Sequence, residues 1–196
     1  MHIKTGILLG ILSYGILLAS ETKQIEPFGI KLNQQLHKSI ITSDIVNSDM
    51  KVLSNPPKPV SLFTTYGLSL NKSKKVTIVV GIGKTHKNDD YCFSSQSEFT
   101  KIENILTKKY SNPSTSSNYL VHDSIWTDAK YYRMSLVENQ RSHYARWDRI
   151  PSHPNIEILL EEEATREGCY VKLVYKDKNL TNEQIKEQDS ADAESF

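Results

Sequence analysis

Hydrophobic positions fall into four short stretches that have the composition or the alternation of β-strands. Residues 62–70 and 76–82 are apolar runs rich in β-branched and aromatic residues, and a short polar segment separates them. Residues 156–160 and 171–175 carry apolar residues at every second position, on either side of a turn. The pattern predicts two β-hairpins, which can pair side by side.

One further stretch has apolar residues at the spacing of a single helix face. This stripe consists of Phe99, Ile102, Leu106 and Tyr110. Ser95, followed three residues later by Glu98, matches a capping box at a helix start. We therefore expect a helix over residues 97–110, ended by the turn-forming residues 111–118, with the next ordered element beginning near Tyr119.

A second helical stripe lies further along the chain. It consists of Tyr132, Leu136, His143 and Trp147, at offsets of four, seven and four. Asp128 precedes the stripe and is a residue type that caps helix N-termini. The spacing predicts a long helix that runs from Asp128 toward Asp148.

Three segments near the start of the chain have weaker patterns. In residues 27–32, Phe28, Ile30 and Leu32 alternate with residues that can face outward, which predicts a short strand. Residues 33–41 carry two apolar residues four positions apart, which predicts a brief helix. Residues 55–59 contain three prolines, so this segment must form a loop or a sheet edge.

The first twenty residues have the form of a secretory signal peptide. Lys4 precedes an unbroken run of apolar or small residues, and Ala19 and Ser20 offer a cleavage site. The run is shorter than the roughly 20 apolar residues that span a bilayer. We expect an exported, periplasmic or secreted chain that begins near Glu21, and the alternative is an uncleaved membrane anchor.

Together these elements predict an α+β fold, with an antiparallel sheet built from two hairpins and two main helices on one face. The chain divides into a signal peptide over residues 1–20, a single α+β domain over 21–178, and a polar tail over 179–196. We expect this tail to be either a frayed helix or a flexible, disordered end. After processing we expect no integral membrane span.

The charge balance argues against nucleic acid as a partner. The chain has 24 Lys and Arg residues and 23 Asp and Glu residues, and removal of the signal peptide takes away only Lys4. The mature chain is therefore neutral, whereas nucleic-acid binders concentrate a basic excess on one surface. No cofactor motif is present, so no cofactor is expected.

The chain contains two cysteines, Cys92 and Cys169. An exported protein meets an oxidising environment, in which such a pair can form a disulfide. Two separate buried thiols are the alternative, and the sequence leaves both open.

Candidate chemistry is sparse. None of the five histidines after the predicted cleavage site has zinc-protease spacing, and no serine or cysteine occurs in a nucleophile motif. We therefore assign no catalytic residue and no metal ligand. An active site would have to be assembled by folding from His143, His153 and the acidic run 161–163, which by itself has the character of a solvated strand end.

Candidate binding residues cluster in the second predicted helix. Aromatic residues and arginine dominate binding hot spots, and Arg141, Tyr144 and Arg146 are therefore predicted to form a contact surface. Tyr132 and Trp147 have the same chemistry but are predicted to pack in the core.

Several short segments resemble a group of small exported bacterial proteins of uncharacterised function. They include PFGIKL at 27–32, VGIGK at 80–84 and GCYVKLVY at 168–175, together with the 99–110 helix, Ile125, Trp126 and 141–147. The resemblance covers most of the mature chain, implies a bacterial periplasmic or secreted protein, and supplies no catalytic residues. Asn33 stands where this group is expected to have glycine.

Three hypotheses about function follow. The preferred one is a non-catalytic module that binds another protein or a cell-envelope component through its sheet or through the segment 141–147. The second is an envelope hydrolase with a His/Glu site assembled by folding. The third is an inhibitor or immunity-like protein that blocks a secreted enzyme with a rigid loop.

Overall fold

The computed structural model describes residues 24–36, 41–44 and 50–193, so the predicted signal peptide lies outside the described residues. The strands are Ile41–Asp44 (β1), Met50–Leu53 (β2), Phe63–Leu70 (β3), Val76–Gly83 (β4), His86–Lys87 (β5), Thr115–Leu120 (β6), Arg141–Trp147 (β7), Ile156–Ala164 (β8) and Gly168–Asp177 (β9). The helices are Phe93–Tyr110 (α1), Tyr132–Val137 (α2) and Lys178–Ala193 (α3), with 3₁₀ turns at Pro27–Gly29 and Ala129–Tyr131.

The strands form one antiparallel sheet in the order β1-β2-β3-β4-β9-β8-β7-β6, and β5 also pairs with β9. The two predicted hairpins are confirmed as β3–β4 and β8–β9. They lie side by side because β4 pairs with β9, with Val79 opposite Tyr175.

Helices α1 and α2 cover the same face of the sheet. Ser95 of α1 and Tyr132 of α2 both bond to Glu162 on β8, so both helices lie on the side to which Glu162 points. Alternate residues of β8 and β9 are buried on that face, as the period of a half-buried strand requires. The predicted α+β fold is therefore confirmed, with a sheet that extends beyond the two hairpins.

The predicted long helix from Asp128 to Asp148 is wrong. Asp128 does cap a 3₁₀ turn, where its carboxylate accepts a bond from the Lys130 N–H at 3.0 Å, but the helix that follows ends at Val137. Asn139 then adopts a left-handed backbone with φ of 53°, a conformation that commonly ends helices. Residues 141–147 form β7, because their buried positions recur every second residue.

The start of α1 differs from the predicted capping box. The helix ends at Tyr110 as predicted but begins at Phe93, so Ser95 lies inside it and is fully buried. Instead the Asp89 carboxylate accepts a bond from the Ser94 N–H at 3.0 Å. Burial opposes the ionisation of Asp89, yet the N–H groups around it hold its pKa below the usual value. The next strand, β6, begins at Thr115 and not near Tyr119.

The predicted strand over residues 27–32 is also wrong, although its burial pattern is correct. Phe28, Ile30 and Leu32 are buried, but Phe28 has a φ of 53° and belongs to a 3₁₀ turn. Residues 33–36 contain a turn and a single bridge to Lys75, just before β4, instead of a helix, and residues 37–40 lie outside the described residues. The proline segment 55–59 is a loop between β2 and β3, as predicted.

Cys92 and Cys169 form a disulfide that joins the start of α1 to β9, with their Cα atoms 5.6 Å apart. Both side chains are fully buried and pack with Tyr132 and Leu136 in a small second core. Of the two alternatives that the sequence left open, the structure therefore has the disulfide.

The polar segment after Lys178, for which the sequence left a frayed helix or a disordered end open, is helical as far as Ala193. The carboxylate of Asp177 accepts bonds from the N–H groups of Asn179 and Leu180, both at 3.1 Å, and so caps α3. Among the described helices, none combines the length and the apolar character needed to cross a membrane.

Candidate functional site

A buried carboxylate lies at the centre of a cluster of polar side chains in the interior. The Glu162 side chain on β8 has no solvent exposure. Its Oε1 accepts a bond from Ser95 Oγ at 2.5 Å, and its Oε2 contacts Tyr132 Oη at 2.8 Å and His143 Nδ1 at 2.7 Å. A buried carboxylate needs such donors, because its desolvation is otherwise costly. We call these four residues the Glu162 centre.

Three elements bring the Glu162 centre together. The register of β7 on β8 places His143 directly opposite Glu162, so that both side chains point to the helix-covered face. Helix α1 supplies Ser95, and Phe99 one turn later stacks on the His143 ring with centroids 4.0 Å apart. Helix α2 supplies Tyr132 from its first residue. The ring of His143 is therefore held on one side by a hydrogen bond and on a face by an aromatic contact.

Tyr132 connects the Glu162 centre to the surface. The Arg141 guanidinium lies over its ring, 4.4 Å from the centroid, and also donates to Asn118 Oδ1 at 2.8 Å. Burial raises the pKa of the Tyr132 hydroxyl, and the adjacent Glu162 charge raises it further. Tyr132 is therefore a hydrogen-bond donor in this arrangement and not a base.

The arrangement orients a histidine toward an open cleft. Both carboxylate oxygens of Glu162 accept hydrogen bonds from hydroxyl groups, so His143 Nδ1 is placed to donate to Oε2. His143 is 15% exposed and lines a cleft of about 330 Å³ at the end of the β7–β8 pair, together with Arg141 and Glu161. Ser95 is fully buried and bonds to the carboxylate instead of the histidine, so it is not placed as a nucleophile.

The predicted contact residues Arg141, Tyr144 and Arg146 do not share one face. Arg141 points to the helix-covered face, whereas Tyr144 and Arg146 project from the opposite, outer face of β7. On the outer face Tyr144 lies opposite Glu161, and Arg146 lies opposite Leu159. Their role as binding residues stays a prediction, but their helical setting is corrected to a strand.

The acidic run 161–163 divides between the two faces. Glu162 is buried, which corrects its prediction as part of a solvated strand end. Glu161 and Glu163 lie on the outer face, where both pair with Lys172 and Glu163 also accepts a bond from Tyr170. Burial opposes the charge of Lys172, but hydrogen bonds with the two carboxylates raise its pKa above the usual value.

His153, the third member of the predicted His/Glu site, lies away from the cleft, in the turn between β7 and β8, where its ring contacts Ser152. Within residues 24–36, 41–44 and 50–193, no three His, Cys, Asp or Glu side chains are grouped to hold a metal ion.

Strand β6 forms one end of the sheet, and its outer edge pairs with no other described strand. Val121 N–H donates to the carbonyl of Gln140 at 2.7 Å, so Val121 bonds inward to β7, and so does every second residue before it along β6. Because bonding alternates along an antiparallel pair, the N–H and C=O groups of Ser116, Asn118 and Leu120 point outward. These groups form a free edge, to which an extended peptide can bond.

Comparison with known proteins finds no relative: no protein-family model, curated protein or solved structure matches this chain. Its function therefore has to be inferred from its own contacts. The resemblance to small exported bacterial proteins is not tested by any match and stays a prediction.

Proposed function

We propose that this chain is an exported, non-catalytic protein-binding module that pairs an extended segment of its partner with the free edge of β6. The observation that carries the proposal is the unprotected edge itself. Proteins blunt such edges with charged residues, prolines or very short strands. The six residues of β6, TSSNYL, include no charge and no proline. Strand addition to an exposed sheet edge is a common mode of peptide recognition.

Side chains next to this edge supply the contact area that backbone pairing lacks. Tyr119, Val121 and Ile125 are 53%, 39% and 80% exposed. Large apolar groups clustered beside an open edge are typical of interaction surfaces. A partner strand laid along β6 would cover Tyr119 and pass close to the segment that carries Val121 and Ile125.

Tyr144 and Arg146 extend the surface across the outer face of the sheet. The β6–β7 register places them opposite Ser117 and Thr115. Arg146 Nε is buried and has no hydrogen-bond partner among the described residues, and a buried donor without a partner costs about 1–3 kcal/mol. A carbonyl or carboxylate of a bound partner would satisfy it. Arg146 is therefore the expected hot spot.

Replacing Ser116 with proline tests the edge directly. Proline removes the outward N–H while leaving the bonds between β6 and β7, and edge strands tolerate it at such positions. We expect Ser116→Pro to abolish recovery of a stoichiometric partner from the cell envelope in a pull-down read by mass spectrometry. Ser116→Thr, which keeps the N–H, should retain the partner. Equal recovery with both variants would contradict strand addition.

The same pull-down tests the outer face. The double variant Tyr144→Ala, Arg146→Ala should lose the partner without a lower melting temperature, and slowed hydrogen exchange at Ser116 and Asn118 in the complex would place the partner on β6. A partner that is a secreted hydrolase would identify the module as an inhibitor or immunity-like protein. A lipid or glycan as the enriched component would contradict protein binding and favour a cell-envelope ligand.

A second candidate function is hydrolysis at the cleft, and one observation favours it: His143, whose Nδ1 bonds to Glu162, lines the cleft. A histidine held in this way can take a proton from water, while the carboxylate stabilises the imidazolium that forms. His153 is remote, so the active site would consist of His143 and Glu162 alone.

Hydrolysis of p-nitrophenyl butyrate is a direct test of this second candidate. If the cleft is catalytic, His143→Asn should reduce turnover by about 10²-fold or more, whereas the matched variant His153→Asn should keep it. Turnover that is equal in both variants, or no higher than that of free imidazole, would exclude hydrolysis of this ester at the cleft.

A further inference from the structure

A second cleft, apolar and distinct from the Glu162 centre, opens between α1 and the loops that precede β1 and β3. Its volume is about 260 Å³. The lining residues are contributed by the 3₁₀ turn at Pro27–Gly29, by the segment before β3, by the second half of α1 and by β9. It therefore leads from the surface toward the main hydrophobic core.

The walls of this cleft are aromatic and aliphatic. Phe28 contacts the rings of Phe63, Tyr66 and Tyr175 edge to face, with centroids 5.3, 4.8 and 6.2 Å away. Leu106 completes the wall from α1. Pockets lined in this way, with few polar groups, are the usual sites of small-molecule binding.

The backbone at the floor of the cleft is held in an uncommon conformation. Phe28 has a φ of 53°, in the left-handed region that bulky residues rarely adopt. On β4, Gly81 makes room for its ring, because a Cβ there would lie 2.7 Å from Phe28 Cζ. Strained residues of this kind persist where the surroundings enforce them, commonly at ligand sites.

One polar group in the cleft has only an imperfect partner. Tyr110 is 9% exposed, and its buried hydroxyl interacts with the Tyr175 hydroxyl but forms no hydrogen bond of full geometry within the described residues. Burial raises the pKa of the Tyr175 hydroxyl, and the contact with Tyr110 raises it further. Buried hydroxyls in native proteins usually make a well-formed hydrogen bond. A ligand with an acceptor group would satisfy it.

The rim of the cleft is basic. Lys109 Nζ lies 4.8 Å from the centre of the Tyr110 ring, and Lys58 also lines the opening. Among the described lining residues Glu26 is the one acidic side chain, and it already contacts Lys58 at 3.8 Å and Lys31 at 3.6 Å. The local charge is therefore positive and complements an anion.

We propose that this cleft binds a free amphiphile with one carboxylate and a medium-length aliphatic chain. The chain would lie against Phe28, Phe63 and Leu106, and the carboxylate would accept a hydrogen bond from Tyr110 Oη next to Lys109. The small volume suits one short chain and excludes a folded partner. This site is independent of the β6 edge and goes beyond the proposed partner binding.

Decanoate, kept below its micelle concentration, is the probe. Calorimetric titration of the purified protein should give one site. Decanol should bind at least about tenfold more weakly, because it lacks the charge that strengthens the hydrogen bond from Tyr110. Tyr110→Phe should weaken the binding of decanoate about tenfold. Lys109→Met should weaken it several-fold and reduce its salt dependence.

The matched control is Lys108→Met, which removes a lysine from the same helix turn but outside the lining of the cleft and should leave decanoate binding unchanged. Tyr110→Phe preserves the ring, so its melting temperature should stay within about 2 °C of the wild type, which separates loss of binding from loss of fold. Absence of decanoate binding, binding that Tyr110→Phe and Lys109→Met leave unchanged, or binding only to phospholipid vesicles would overturn the proposal.

Discussion

Replacing both Cys92 and Cys169 with alanine will lower the free energy of unfolding by about 4 kcal/mol. The disulfide closes a loop with a sequence separation of 77 residues. A cross-link of that span removes much of the conformational entropy of the unfolded chain, and this is the main source of its stabilisation in the chain-entropy model. The bridge also joins the first turn of α1 to β9, so α1 should detach early when the bridge is absent.

Urea unfolding measures this effect, and reduction of the wild-type protein supplies the matched control. Reduced wild type and the double alanine variant should lose similar stability, because both lack the cross-link. The reduced protein should keep a small advantage, since its buried thiols still fill the space beside Tyr132 and Leu136. If the free energy of unfolding falls by less than about 1 kcal/mol in both the reduced wild type and the double alanine variant, the unfolded state is already compact without the disulfide.

Much of the sheet could be predicted from the sequence because its hairpins are local. Residues 76–82 are rich in β-branched residues and residues 171–175 have apolar residues at every second position, both of which favour a strand over a helix. Short connections then leave little choice of partner strand. The pairing of β4 with β9 is only one of several arrangements that the sequence allows, since β5, α1, β6, α2, β7 and β8 all lie between the two strands along the chain. Long-range pairing depends on the packing of both faces, which periodicity does not encode.

The wrong prediction of a helix over residues 141–147 has a specific cause. His143 and Trp147 are four residues apart, and four is a multiple of the strand period as well as one helical turn. Ala145, between them, is fully buried, and the resulting sequence of buried positions follows period two. Asn139, which ends α2 in a left-handed conformation, is the sequence signal that the helix stops earlier.

The Glu162 centre could be predicted only in part. Period two from Ile158 through Leu160 places Glu162 on the buried face, and this signal is present in the sequence. His143 stands out beside the acidic run, but its exact partner depends on the β7–β8 register. Ser95 comes from 67 residues away, through the packing of α1 on the sheet, which no local pattern indicates.

Replacing Glu162 with leucine will destabilise the protein by about 3–5 kcal/mol, the cost of breaking a buried polar cluster by removing one partner. Leucine fills a similar volume but leaves the Ser95, Tyr132 and His143 donors without their acceptor in the interior. At about 2–4 °C for each kcal/mol in a chain of this size, the melting temperature should fall by roughly 6–20 °C.

The matched control is Glu161→Gln, one residue earlier on the outer face, where the pair with Lys172 is partly exposed and is worth about 0–1 kcal/mol. The loss of stability in Glu162→Gln should lie between those of Glu162→Leu and Glu161→Gln. The amide oxygen of the new glutamine can still accept a hydrogen bond, but its NH₂ group faces a side chain that donated to Glu162. A coupling measurement isolates the cluster itself: Ser95→Ala should cost at least about 0.5 kcal/mol less in the Glu162→Leu background than alone, since its acceptor is already gone. Equal costs in both backgrounds would show that the Ser95 hydroxyl contributes through packing, and that Glu162 does not organise the helices above it.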